Sequence, residues 1–290
     1  MDQLTLHPNI GVMFWAGRAP AETLAELTAL GIHHGQLGIP GDLPLAGQAA
    51  AWKTAASHAN FTIHTVFAAY EGESYADIPT VQSTVGFVPA IFRSRREART
   101  HAVIDFAREL GATGIATHIG FVPENNTDPE YRAVLEMVRR IADHAQPMTF
   151  ALETGQETAP ALLEFLEAAN RPNLGINFDP ANMILYGTGQ PLEALSILAP
   201  RLLSVHAKDG TWPTAAGALG SETVLGEGAV NIPAFLAKLR EVGYHKPVFI
   251  ERESSDPVQR LLDIQHAIQL IAAQDNFSPD EGLNSGSDAR

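Results

Sequence analysis

Short apolar runs alternate with longer amphipathic segments along nearly the whole chain, and no stretch consists of strand patterns alone. The apolar runs predict eight strands, at 10–14, 34–37, 61–67, 114–118, 148–153, 174–178, 202–206 and 248–251. Between them the 3.6-residue period predicts helices over 21–30, 47–59, 94–110, 128–144, 158–168, 192–198, 232–242 and 257–273. Pro20, Pro129, Pro160, Pro191, Pro233 and Pro257 stand near helix starts, where a fixed φ suits the first turn and the missing N–H has no partner to lose. Gly31, Gly111 and Gly243 follow the last periodic residues, as left-handed caps require. Eight βα units without an intervening linker predict a closed parallel barrel, the (β/α)8 TIM-barrel architecture, as one domain over residues 1–273. An open doubly wound sheet is the alternative, but no G-x-G-x-x-G follows the first strand.

Two connections exceed simple turns: 68–93 after the third strand and 207–230 after the seventh. Both leave the C-terminal end of a barrel strand, which is the catalytic face, so both read as lids or binding loops. Residues 274–290 are polar and aperiodic and read as a disordered tail.

Composition narrows the chemistry. The chain carries 290 residues, a formal charge of −14, 11 histidines and no cysteine. An acidic surface repels a phosphate backbone and no basic patch offsets it, so a nucleic-acid partner is not expected. Without cysteine there is no disulfide, thiolate nucleophile or cysteine-ligated metal, and any ion must be held by oxygen and imidazole. No apolar stretch reaches the roughly 18 residues of a membrane span, and residues 1–8 lack the basic and apolar regions of a signal peptide. A cytoplasmic location without membrane association is the expectation.

The polar residues near the ends of apolar strands form a short set: His64, His118, Glu153, Asp179, His206 and Glu251. Four of these, Glu153, Asp179, His206 and Glu251, come from the consecutive strands five to eight. Burying three carboxylates there without a partner would cost several kcal/mol each, and one shared divalent cation removes that difficulty. Oxygen-rich coordination with one nitrogen suits Mn²⁺, Mg²⁺ or Co²⁺, with Zn²⁺ as a further choice. Two residues have structural competitors: Asp179 in Asp-Pro-Ala-Asn suits a helix cap, and Glu251 has Arg252 beside it as an ion-pair partner.

These strand ends, in the phrases LETGQET, NFDPAN, VHAKDG and FIERE, resemble the xylose-isomerase-like TIM-barrel superfamily of sugar phosphate isomerases and epimerases, to which endonuclease IV is related. The resemblance runs from the first strand through Glu251. It implies that Glu153, Asp179, His206 and Glu251 hold one divalent metal, and that Glu153 and Glu251 move protons on opposite faces of a sugar or polyol-derived substrate. The chemistry is sound on its own terms: a metal on a carbonyl and the adjacent hydroxyl polarises both, stabilises an enediolate, and lets a carboxylate take a carbon-bound proton near neutral pH. An inosose-type dehydratase would use the same metal and first step. An endonuclease-like hydrolase and a non-catalytic sugar-binding barrel are further alternatives, and self-association into a homo-oligomer is left open.

Other residues are candidates for contacting the substrate. Lys208, two residues beyond His206, shares its face if the strand continues and would neutralise an oxyanion. His64 and His118 point to substrate contacts or to satisfied core histidines. Asn182 stands where many members of the superfamily have histidine in a D-x-x-H pattern; an amide bonds hydroxyls well and metals poorly, which argues against both the ketose epimerase branch and a three-zinc nuclease. Glu157 is a candidate for supporting a ligand, and Glu227 in Gly226-Glu227-Gly228 for reaching the substrate or capping a helix. Trp15 leads the aromatic candidates for stacking, with Phe14, Tyr70, Tyr75 and Trp212 behind it; Arg93, Arg95 and Arg96 read as solvated helix-start charges.

Overall fold

The eight apolar runs all become strands. The computed structural model describes residue 7 and residues 9–274; the sequence expectations for the leader segment and for the tail therefore lie, apart from His7, residue 274 and the barrel itself, outside the described residues. The strands are β1 (Ile10–Trp15), β2 (His34–Ile39), β3 (Thr62–Ala68), β4 (Gly114–Thr117), β5 (Thr149–Glu153), β6 (Leu174–Phe178), β7 (Leu202–Ala207), β8 (Asp209–Thr211), β9 (Ser221–Thr223) and β10 (Val248–Ile250). All but β8 and β9 close a barrel in the order β1-β10-β7-β6-β5-β4-β3-β2, every pair parallel. Parallel strands with helices outside and side chains inside are buried on both faces, which is why their sequences read as nearly continuous apolar runs. Met13, Phe67, Ala116 and Ala151 pack together in one interior cluster.

The helices are α1 (Pro20–Ala29), α2 (Gln48–His58), α3 (Ile78–Thr84), α4 (Ala90–Leu110), α5 (Pro129–Ala145), α6 (Ala159–Ala169), α7 (Pro180–Tyr186), α8 (Pro191–Leu198), α9 (Ile232–Glu241) and α10 (Pro257–Ala272). Side-chain caps set several starts: Asp256 accepts from the N–H groups of Val258 and Gln259, and Thr158 from that of Ala161. Phe14 turns outward into this layer, 5.7 Å from the Trp52 ring and 5.9 Å from that of Phe61, and so is core rather than a stacking surface at the mouth.

Both long connections carry structure that the apolar pattern does not show. The first holds α3, and α4 begins four residues before its expected start. Arg96 is not solvated: it is 1% exposed and donates to the carbonyls of Gly86 and, at 2.6 Å, Thr84. Glu73 grips the same segment from the other side, accepting from Gly86 N–H at 2.8 Å and Tyr70 N–H at 3.0 Å. Arg93 likewise donates to the carbonyls of Phe87 and Val88, and only Arg95 matches the expectation of an exposed charge. The second connection forms the antiparallel β8–β9 hairpin and a turn organised around Asp209. That buried carboxylate accepts four backbone N–H groups: Gly210 and Val230 on Oδ1, Gly226 and Gly228 on Oδ2, all between 2.9 and 3.1 Å.

His64 is corrected by strand length. It is the third residue of β3 rather than its end, so it sits toward the opposite end of the barrel, its Nε2 3.0 Å from His34 Nδ1 and its ring against Phe249. Burial, with the adjacent His34 and Lys246 charges, pushes its pKa down to about 4. The unfolded chain therefore takes up a proton near pH 6.5 that the native state refuses until about pH 4, and this group withdraws stability as pH falls across that window. In His64→Gln the thermal midpoint is expected to fall less steeply from pH 6.5 to 4; parallel curves for the two proteins would remove the assignment.

Candidate metal centre

Barrel closure brings the ends of β5, β6, β7 and β10 together. Glu153 is the last residue of β5, Asp179 follows β6, His206 is next to last in β7 and Glu251 follows β10. One ligand atom from each lies within 4.8 Å of the others, and all four residues are buried. His206 Nδ1 stands 2.8 Å from Glu153 Oε1, 2.8 Å from Glu251 Oε2 and 3.6 Å from Asp179 Oδ2. Asp179 Oδ2, His206 Nδ1 and Glu251 Oε2 are buried polar atoms without a hydrogen-bond partner. Buried polar atoms are almost always satisfied, so three unpartnered atoms converging on one point fit the binding of a cation. Three carboxylates and one imidazole form a donor set suited to a hard or borderline divalent ion.

The two oxygens of Asp179 face different ways, and the helix-cap reading is borne out. Oδ1 accepts from Asn182 N–H at 3.0 Å and caps α7, while Oδ2 faces the cluster. Thr154 fixes the backbone of Asp179 from both sides, donating to its carbonyl and accepting from its N–H. Glu251 does not pair with Arg252, whose guanidinium is taken by Glu222 at 2.6 Å and Asp263 at 2.8 Å.

Beneath the ligands lies a polar layer absent from the sequence-derived site. Gln36 Oε1 is 2.8 Å from His206 Nε2, and Gln36 Nε2 donates to Asn177 Oδ1 at 3.2 Å. Nε2 also lies 3.1 Å from Asn177 Nδ2; a proton on Nε2 would be accepted by Gln36 Oε1, the shorter contact, and would leave Nδ1 with its lone pair toward the carboxylates. Two features of the sequence mark it: Asn177 is two residues before Asp179, and Gln36 stands polar among the glycine and apolar residues of 35–39. Gln36→Leu removes the acceptor that fixes this tautomer and is expected to weaken Mn²⁺ binding by about 10–100-fold, the usual penalty for losing such a support. Calorimetric titration checks it; unchanged affinity would rule out the support role.

Above the ligands opens a cavity of about 510 Å³. Trp15, His118, Asn182 and Lys208 all line it, together with Phe67, Tyr70 and Tyr75. His118 Nε2 is 2.8 Å from Glu153 Oε2, so the two oxygens of Glu153 are divided between the cluster and His118. Burial alone would raise the pKa of Glu153, but the imidazoles of His118 and His206 outweigh it and hold the carboxyl well below its usual range. Burial correspondingly opposes the charge on His118, and Glu153 prevails to bring it to about 9. Lys208 is 3.4 Å from Glu251 Oε2, 3.6 Å from Glu253 Oε2 and 4.0 Å from Asp179 Oδ2.

Three expected contributors lie elsewhere. His64 is deeper in the barrel, as described. Glu157 is buried beside the cavity wall, accepting from Val122 N–H at 3.3 Å and tying the β5 connection to that of β4; burial raises its pKa to about 7. Glu227 is exposed on its turn, because Asp209 takes the N–H groups of both flanking glycines and turns the segment around itself. Trp212 packs against the core. Glu73 and Glu253 from loops, Tyr186 from the end of α7 and Glu222 from β9 also reach the cavity, along a course the sequence does not display.

A family model described as a xylose isomerase-like TIM barrel matches residues 24–274. A ketose 3-epimerase from Arthrobacter globiformis is 29% identical over 187 residues, covering 59% of this chain and 59% of that protein. The chain thus spans little more than half the length of the curated relatives it matches, 59% of one and 54% of another. The crystal structure of a xylose isomerase domain protein from Planctomyces limnophilus superposes with a TM-score of 0.87 at 40% identity, covering 92% of this chain and 96% of that one. A xylose isomerase-like TIM barrel protein from Mycobacterium smegmatis, in complex with magnesium, shares the fold at 20% identity and a TM-score of 0.65, over 89% of this chain and 90% of that one.

Proposed function

Because the chain belongs to the xylose isomerase-like TIM barrel family, we propose that it is a divalent-metal-dependent isomerase or epimerase of a sugar or related polyhydroxy carbonyl compound. The observation that carries this reading is the convergence of Glu153, Asp179, His206 and Glu251 with three orphaned acceptor atoms at the floor of the cavity. The ketose 3-epimerase among the relatives supports the substrate class, and the magnesium complex of a barrel of this fold supports the ion.

The four clustered residues would hold the ion, which when bound supplies Lewis-acid polarisation of a carbonyl and its neighbouring hydroxyl. Glu153 and Glu251 approach the cluster from strands separated by β6 and β7, which places a carboxylate on either side of a substrate lying above it. One takes the proton from the carbon beside the carbonyl; the other returns a proton to the opposite face, inverting that carbon, or a proton returns to the former carbonyl carbon while the hydroxyl proton passes to the former carbonyl oxygen, moving the carbonyl. His118 orients Glu153 through Oε2. Lys208, held by three carboxylates, places its ammonium beside Glu251, where negative charge on a substrate oxygen is favoured. Asn182 offers an amide to a hydroxyl. Burial of Glu153 and Asp179 limits water at the reacting carbon.

The nuclease alternative loses support because His64, one of the histidines that would supply extra zinc ligands, does not reach the cavity, and one metal-competent cluster exists among the described residues. Metal analysis of the purified protein, with exchange of carbon-bound protons from a panel of ketoses and inososes in D₂O, tests the reading. A stoichiometric divalent ion and ion-dependent exchange are expected, with loss of exchange on chelation and recovery on adding Mn²⁺ back. Ion-independent exchange or no exchange would overturn the mechanism, and loss of water from an inosose would transfer the site to the dehydratase class.

A further inference from the structure

Beside the catalytic cavity lies a second cleft of about 590 Å³, between the β1–α1 and β10–α10 connections. Trp15, Glu251 and Glu253 line both spaces, so the two meet along a common sill. The floor of the second cleft is apolar, formed by Met13, Leu27, Leu261 and Ile264. Two of the three arginines around it are held by carboxylates and the third by a backbone carbonyl. Arg18 is bound in two-pronged fashion by Glu26 at 2.6 and 2.7 Å, Arg252 is held by Glu222 and Asp263, and Arg260 donates to the carbonyl of Ser254. The sill itself carries two carboxylates, Glu251 and Glu253, which disfavour an anionic group there.

Trp15 is built into this junction. Its indole lies on the Cα of Gly38, where a Cβ would come within 2.5 Å of the ring, yet the residue remains 42% exposed. A large aromatic packed on one side by a glycine and left in solvent on the other is a fixed platform, and here it borders both spaces. A free monosaccharide needs only the space above the metal cluster and leaves the cleft unused.

We propose that the second cleft is a subsite for the group carried by the substrate's sugar, an uncharged aromatic aglycone, so that the preferred substrate is a glycoside whose ring bears its carbonyl at a carbon other than the glycosidic one. The proposal rests on the sugar chemistry above only in placing the sugar ring in the catalytic cavity. An aromatic ring satisfies what the cleft offers: an indole edge for stacking and an apolar floor.

The test uses the full chain loaded with Mn²⁺ and unreactive probes: 4-nitrophenyl and methyl glucopyranosides, in both anomers, and cellobiose. The 4-nitrophenyl glycoside is expected to bind at least ten-fold more tightly than the methyl glycoside. Ser255→Trp, which fills the cleft from its exposed rim, is expected to abolish that advantage while leaving methyl glycoside affinity unchanged; Trp15→Ala is expected to reduce it. Equal affinities, no binding of either glycoside, or an advantage that survives Ser255→Trp would overturn the subsite. Cellobiose gaining as much as the aryl glycoside would overturn its aromatic character. The preference should persist in Glu153→Gln, so a failure of the proton-transfer mechanism and a failure of the cleft are separately visible.

Discussion

Glu153→Gln is expected to lower proton exchange from substrate by at least about 10³-fold at saturating metal while leaving the barrel intact. General acid–base groups are worth roughly 10²–10⁴-fold, and this residue would also weaken the ion's coordination. The amide keeps the shape of the side chain and an acceptor oxygen, so the interior of β5 remains filled. What it loses is the negative charge between His118 and His206 and the capacity to take a proton. Exchange followed in D₂O, with thermal unfolding as the control for folding, separates the two effects. A variant that exchanges at more than a tenth of the parent rate with Mn²⁺ bound would remove Glu153 from proton transfer.

The second large effect is structural. Asp209→Asn is expected to destabilise the protein by about 2–4 kcal/mol, since hydrogen bonds to a charged acceptor contribute roughly 1.5–3 kcal/mol each and do not add independently. In place of a carboxylate receiving four N–H groups, the amide presents its own N–H₂ to two of them. Gly228 leaves no room for adjustment, because a Cβ there would lie 2.1 Å from Asp209 Oδ1. At about 2–4 °C per kcal/mol for chains of this size, the midpoint should fall by roughly 5–15 °C, with proteolysis appearing first in residues 209–230. An unchanged midpoint would show that the β8–β9 hairpin holds itself. The neighbouring Lys208 contacts would be disturbed with the hairpin, so catalysis is expected to suffer even though Asp209 does not line the cavity.

These two residues mark what could be read from the chain and what could not. Glu153, Asp179, His206 and Glu251 were legible because an acid or histidine closing an apolar run in a βα repeat has one place to go, the mouth of the barrel. Depth within the barrel was not legible. Alternate residues of one strand face the same way at very different heights, which is how His64 was read as a strand end while Gln36 and Asn177, one layer below the ligands, were passed over. Helices α3 and α7 and the β8–β9 hairpin are too short to show a period. They exist because of single polar contacts, such as the Asp77 and Asp179 caps and the Asp209 hub. Arg96 is illegible for a related reason: the carbonyls that receive it belong to a loop whose path only the tertiary structure defines.

The divided carboxylate of Asp179 gives the protein a built-in reporter. The same side chain that turns Oδ2 toward Glu153, His206 and Glu251 holds the Asn182 amide with Oδ1, at 3.0 Å. Drawing electron density toward a cation at one oxygen weakens the other as an acceptor while pinning its position. The amide proton of Asn182 should therefore shift in an NMR spectrum as the ion is titrated, and its slow exchange with solvent should track occupancy even when no substrate is turned over.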